Sequence, residues 1–168
     1  MICVIAKLPP DAAGRLDALR KTAVSGKRPA GPLYGHITIA TCLSGNDEEF
    51  IRTCSGIICG TSPFSVRYER LEVLHETSII AAVPSASDGL QSLHGSIASA
   101  SGESLDRWTR GAEWYPHTTL LYDPAADLDA LCREMQRCFI PFETRISRIE
   151  FSKAGETGYT IVKSIELK

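Results

Sequence analysis

Long apolar runs are missing from this chain: no stretch approaches the roughly 18 consecutive apolar residues that a membrane-crossing helix needs. The opening MICVIAKLPP holds only a short apolar run, ended by Lys7 and a Pro pair, which is not the layout of a secretory signal. No surplus of either charge is present. Eighteen Lys and Arg stand against 20 Asp and Glu, a net charge of −2. Gripping a long polyanion draws on many cationic contacts, so that balance argues against an extended nucleic-acid track. It leaves room for a local pocket that takes one or two phosphates. C-x-x-C knuckles are missing as well. The six cysteines (Cys3, Cys42, Cys54, Cys59, Cys132 and Cys138) mostly fall among core-like apolar residues. They are expected to be reduced core cysteines of a cytoplasmic protein, without a disulfide framework or a metal site.

What is present is enough for a core: 43% of the 168 residues are hydrophobic. No low-complexity linker divides the chain, so a single domain over 1–168 is expected. Apolar runs predict strands at 2–7 and 36–42. Between them Ala12, Leu16, Leu19 and Ala23 recur with helical period, and Asp11 follows Pro9-Pro10 where an N-cap belongs. Asn46 is a good cap for a second helix with Phe50, Cys54 and Ile57 as its stripe, and a strand or strand pair follows from Phe64 to about Leu74. The pattern then restarts. A strand at Ser78–Val83 precedes a helix opened by Ser85 with Leu90, Leu93 and Ile97 on one side. A polar loop leads to a strand at 117–122. A helix from Pro124 carries Leu128, Leu131, Met135 and Cys138, and strands at about 142–151 and 159–167 close the chain. The expected fold is therefore α+β. Two pseudo-symmetric lobes, approximately 1–75 and 76–168, would set antiparallel sheets on either side of a central cleft.

Histidine is scarce, with four in the chain, and tyrosine numbers five. Against that scarcity, Tyr34-Gly35-His36-Ile37-Thr38-Ile39 and Tyr115-Pro116-His117-Thr118-Thr119-Leu120 share the form Y-x-H-x-T-[IL], 81 residues apart. On a strand, residues two apart face the same way, so His36 emerges with Thr38, and His117 with Thr119. Two such strands meeting across a pseudo-two-fold would converge two imidazoles and two hydroxyls. One imidazole takes a proton from the attacking oxygen, the other gives one to the departing oxygen, and the threonines donate to the charged phosphoryl oxygens. The simpler alternative is a pair of strand histidines satisfied by local hydrogen bonds.

The paired motifs and the duplicated halves resemble the two-histidine (2H) phosphoesterase superfamily, which includes 2′-5′ RNA ligase-like proteins and RNA cyclic phosphodiesterases. The resemblance covers essentially the whole chain. It implies His36 and His117 as the catalytic pair, Thr38 and Thr119 as phosphate ligands, and no metal or other cofactor. It implies as substrate a nucleotide or RNA end bearing a 2′,3′-cyclic phosphate or a 2′-5′ linkage, with reversible ligation by the same groups.

Around that pair, Tyr34 and Tyr115 are candidates to stack on a base, although aromatics at a strand start often only pack. Arg107, Trp108 and Arg110 before the second motif, and Lys27 and Arg28 before the first, could fold over the cleft, with Arg110 the preferred substrate contact. His75 is expected in a solvated turn and His94 half-buried or at the surface. No obligate protein partner is evident. Two other functions fit the composition: an RNA- or nucleotide-binding module with little turnover, and a metal-dependent hydrolase built on histidines and cysteines.

Overall fold

A computed structural model describes residues 1–23, 32–43, 45–85, 87–155 and 158–168. The chain runs β1 (Ile2–Lys7), α1 (Pro10–Ala23), β2 (His36–Cys42), α2 (Asp47–Cys59), β3 (Phe64–Leu74), β4 (Ile79–Pro84) and α3 (Asp88–Ser101). After short 3₁₀ turns at Gly102–Ser104, Arg107–Thr109 and Gly111–Glu113 come β5 (Thr118–Tyr122), α4 (Leu128–Cys138), β6 (Phe142–Ile146), β7 (Arg148–Gly155) and β8 (Gly158–Glu166). The architecture is α+β, as expected, with two antiparallel four-stranded sheets in the orders β2-β1-β7-β8 and β5-β4-β3-β6. Helix α1 packs on α4 and α2 on α3, and one apolar cluster runs through both sheets and all four of these helices.

The two sheets repeat each other residue by residue. In the first, Ile5 pairs with Thr38 of β2 on one side and Glu150 of β7 on the other. In the second, Ala81 pairs with Thr119 of β5 and Glu72 of β3. Each histidine-strand ladder carries one register shift, between Val4 and Ile5 and between Ile80 and Ala81. The repeat does not follow the sequence halves, however. Strand β3 of the first half completes the second sheet, and β7 and β8 complete the first.

Local departures from the sequence reading have local causes. Helix α1 begins at Pro10, with the Pro9 carbonyl accepting from Ala13 N at 3.0 Å, so Asp11 lies in the first turn instead of capping it. Proline lacks the N–H that a first helical position would leave unpaired, so it suits that place. Asn46 does cap α2, accepting from the backbone N–H of Glu48 at 3.0 Å, but Ile58 takes the fully buried position expected for Ile57. Ser87 precedes α3 in place of Ser85, and α4 starts at Leu128 behind an Asp127 cap, four residues beyond Pro124. The run 142–151 is two strands in different sheets, broken at Ser147. Of the cysteines, Cys3, Cys42 and Cys54 are buried, Cys132 is half-buried, and Cys59 and Cys138 are exposed. Cys138 ends the α4 stripe where the helix leaves the core. Among the described residues no helix is long and apolar enough to cross a membrane.

Candidate active site

His36 opens β2, and His117 stands immediately before β5. Different residues lead into the two. Before His36 the chain turns at Gly35 with φ +64°, and a Cβ there would lie 2.8 Å from the Ala13 Cβ of α1. Only glycine satisfies both the left-handed backbone and that close approach. Before His117 stands Pro116, whose ring restricts the backbone φ there.

The two motifs touch directly. The hydroxyl of Thr118 donates to the His36 carbonyl at 2.9 Å and lies 2.6 Å from the fully buried Tyr68 hydroxyl, which donates to it in turn. Thr118 thus occupies the inward position given to Ile37 in the other motif, and its polarity is used to join the strands. A second tie is the Trp114 indole N–H, which donates to the Thr38 carbonyl at 2.9 Å. That indole is stacked on His94, with centroids 3.9 Å apart and planes 12° apart. His94 is buried, contrary to the expectation of a half-buried or surface place, because its Nδ1 bonds the Ile39 carbonyl at 2.9 Å. His75 is exposed in a 3₁₀ turn, as expected, 3.7 Å from Asp129.

The loop before the second motif is itself stitched to β2. Asp106 N donates to the Thr41 carbonyl at 2.9 Å, and Thr41 N donates to the Thr109 hydroxyl at 3.0 Å. Consequently the segment carrying Trp108 and Trp114 crosses from one histidine strand to the other.

Both imidazoles are half-buried and both are held toward the neutral form. Burial lowers the His36 pKa, helped by the Lys7 ammonium and by His117, to about 4. Burial also lowers His117, opposed by its own bond to the Tyr115 carbonyl at 2.8 Å. A carbonyl only accepts, so His117 Nδ1 carries the hydrogen and Nε2 is the atom left for chemistry.

Each motif tyrosine leans on a glutamate of the third strand. Tyr34 donates to Glu150, and Tyr115 donates to Glu72 at 2.6 Å. Burial and the neighbouring carboxylate push the Tyr34 hydroxyl up to about 12, so it stays a donor. Glu150 and Glu72 occupy equivalent registers, a symmetry that the sequence shows only once the strand pairing is known. Lys7 lies over the Tyr34 ring, 3.3 Å from its centroid, and Arg70 bonds the Tyr115 hydroxyl at 2.8 Å.

Two cavities meet at Thr38. One, of about 520 Å³, reaches from Thr38 and His117 to Trp108, Tyr115 and Val73. The other, of about 280 Å³, runs from Thr38 and His36 to Tyr34, Ser152 and Tyr159. Of the candidates, His36, Thr38 and Tyr34 therefore line the smaller cavity, and Thr38, His117, Tyr115 and Trp108 line the larger, with Thr38 shared between them. Thr119 is exposed on β5, two residues from His117, outside the lining of either cavity. Arg110 is turned away, its guanidinium engaged by the Glu103 and Leu105 carbonyls at 2.9 and 2.8 Å. Arg107 stacks on Trp108, 4.1 Å from the ring centroid. Lys27 and Arg28 lie outside the described residues. Among those residues no three His, Cys, Asp or Glu side chains are grouped to hold a metal ion.

The model of the 2′-5′ RNA ligase superfamily matches residues 8–158, nearly the whole chain and both motifs. The chain belongs to that superfamily. Membership carries a phosphodiesterase or ligase-like role, and an enzyme of this family. No curated protein matches this superfamily member by sequence. Solved structures share its fold at low identity. A structure described as a phosphoesterase superposes with a TM-score of 0.74 at 16% identity, covering 99% of this chain and 97% of that one. TT0787 of Thermus thermophilus gives 0.73 at 17%, with 99% and 97% covered. E. coli LigT complexed with 3′-AMP gives 0.71 at 16%, with 99% and 96% covered.

Within this superfamily member, the sequence carried the histidines and Thr38 because they fall on a repeated motif. It did not carry Lys7, Glu72, Glu150, Thr118 or Trp114. Their roles depend on which strands are neighbours, and no local pattern encodes that. Thr118 left one trace, a polar residue at a position whose counterpart is isoleucine.

Proposed function

We propose that this superfamily member hydrolyses a 2′,3′-cyclic phosphate or a related nucleotide or RNA phosphodiester, with His36 and His117 as the acid-base pair. The observation that carries the reading is the direct bond between the motifs: Thr118 fastens the His36 backbone next to His117, and the cavities that the two imidazoles line share Thr38. Thr38, where the two cavities join, is placed to donate to a non-bridging phosphoryl oxygen, where charge builds during displacement. Thr119 is assigned the same role by its equivalent register. The larger cavity, walled by Trp108 and Tyr115, suits a nucleobase, since aromatic faces stack on any base. Arg110, engaged by its own loop, is left out of that role. The neighbouring LigT structures include complexes with 3′-AMP, NADP+ and ATP, which supports a nucleotide as the ligand here. Ligation would use the same groups in the same direction, with an RNA 5′-hydroxyl in place of water as the oxygen that attacks the cyclic phosphate.

The experiment is turnover of 2′,3′-cyclic nucleotides and of short RNA with a cyclic end, each with and without a chelator. Hydrolysis that survives the chelator is expected. Binding without turnover on every cyclic substrate would favour a binding module, and activity lost to the chelator would contradict a metal-independent reaction.

A further inference from the structure

Most hydrogen-bond donors lining the larger of the two cavities at Thr38 are already engaged by the protein itself. Thr38 and His117 are taken by the reaction proposed above, and Trp108 supplies a stacking face. Of the rest, the Trp114 indole N–H goes to the Thr38 carbonyl at 2.9 Å, and the Tyr115 hydroxyl goes to Glu72 at 2.6 Å. The Thr109 hydroxyl donates to Asp106 Oδ1 at 2.6 Å, and the Thr77 hydroxyl donates to the Leu74 carbonyl at 3.2 Å. No Lys or Arg lines the cavity. The nearby cations are occupied, Arg70 between Glu72 and the Tyr115 hydroxyl and Arg107 on the Trp108 ring.

The acceptors are in the opposite condition. Glu76 and Glu113 line the same cavity, both are exposed, and neither carboxylate enters a hydrogen bond or ion pair among the described residues. Asp106 meets Thr109 through Oδ1, which leaves Oδ2 as a further acceptor. The wall therefore offers carboxylate oxygens to a group that enters beside Trp108, and an ionised carboxylate only accepts.

We propose that the larger cavity selects a nucleobase with an exocyclic amino group, read by Glu76 and Glu113, and disfavours uracil. The inference rests on the phosphodiesterase reading of this cleft and names the base that the reading leaves open. Cytosine and uracil have rings of one shape, so stacking on Trp108 treats them nearly alike. At C4 cytosine presents an amino donor, and uracil presents a carbonyl oxygen. Facing carboxylates, the amino group gains charge-assisted hydrogen bonds. The carbonyl oxygen gives up water there and finds no donor in exchange. Adenine and guanine bring amino groups as well. Because both glutamates are exposed, water competes for them, and the preference should be about tenfold, far below the roughly 10⁴-fold of a fully buried site.

The test is the ratio of kcat/KM on cytidine 2′,3′-cyclic phosphate to that on uridine 2′,3′-cyclic phosphate, in wild type, Glu76→Gln, Glu113→Gln and the double variant. Both substrates meet the same protein, so partial unfolding of a variant cancels from the ratio. Wild type should favour cytidine by about tenfold. The double variant should bring the ratio within about threefold, since a glutamine amide also donates to the uracil oxygen. Equal rates in wild type, or a preference for uridine, would overturn the proposal. A cytidine preference that the double variant keeps in full overturns it too, because something other than these glutamates then reads the base. Wild-type protein that turns over neither nucleotide would overturn the phosphodiesterase reading. Calorimetric binding of cytidine 3′-phosphate against uridine 3′-phosphate then decides the base preference by itself: tighter cytidine binding upholds it, and equal or absent binding overturns it.

Discussion

At the scale of single residues, the candidate site is two half-buried imidazoles set against charged and polar neighbours. Histidine ionises near 6.5 in water, and His36 in this cleft ionises at about 4 because burial and Lys7 both penalise its cation. Between those values the unfolded chain binds more protons than the folded one, so folding stability falls as the pH drops from 6.5 toward 4. The shift amounts to at most about 3 kcal/mol. His36→Gln should therefore lose less stability than wild type between pH 7.5 and pH 4.5, as read by urea unfolding at both values. An equal loss in the two proteins would contradict a half-buried, neutral His36.

At the scale of elements, the helices serve the strands that carry the motifs. The Asn46 side chain satisfies the first N–H groups of α2, and Asn46→Ala should cost about 1 kcal/mol in urea unfolding while leaving kcat unchanged, because α2 reaches neither cavity. Gly35→Ala should act on both quantities. Its methyl group would collide with Ala13 in a backbone conformation that alanine resists, displacing either α1 or His36. We expect a destabilisation of about 1–3 kcal/mol and a kcat lowered by about tenfold or more. Elements of this kind were the readable part of the sequence. Helices α2 and α3 and strands β1 to β4 follow from period and capping, to within a few residues. The split at Ser147 was not readable, because 142–151 keeps strand character throughout and only the change of sheet divides it. The path of 102–116 was not readable either, since Asp106, Thr109 and Trp114 bond to β2 residues far away in the chain.

At the scale of the whole molecule, the two sheets share one apolar cluster and are tied to each other at the motifs. Thr118 is the tie that bonds the backbone of His36 itself. Thr118→Val keeps the shape but leaves the buried Tyr68 hydroxyl without its partner and removes the bond to the His36 carbonyl, so it should destabilise by about 1–3 kcal/mol. It should also lower kcat on a cyclic nucleotide more than it raises KM, because what loosens is the spacing between the histidines. A variant with normal kcat and only lower stability would show Thr118 to be a core hydroxyl and nothing more.

Whether His36 and His117 act as one acid-base unit is decided by comparing kcat for wild type, His36→Ala, His117→Ala and the double variant on a 2′,3′-cyclic nucleotide. Each single variant should lose about 10²–10⁴-fold, and the double variant should fall little further than the worse single one, since neither partner works alone. If either single variant stays within a few-fold of wild type, the two histidines are not the catalytic pair.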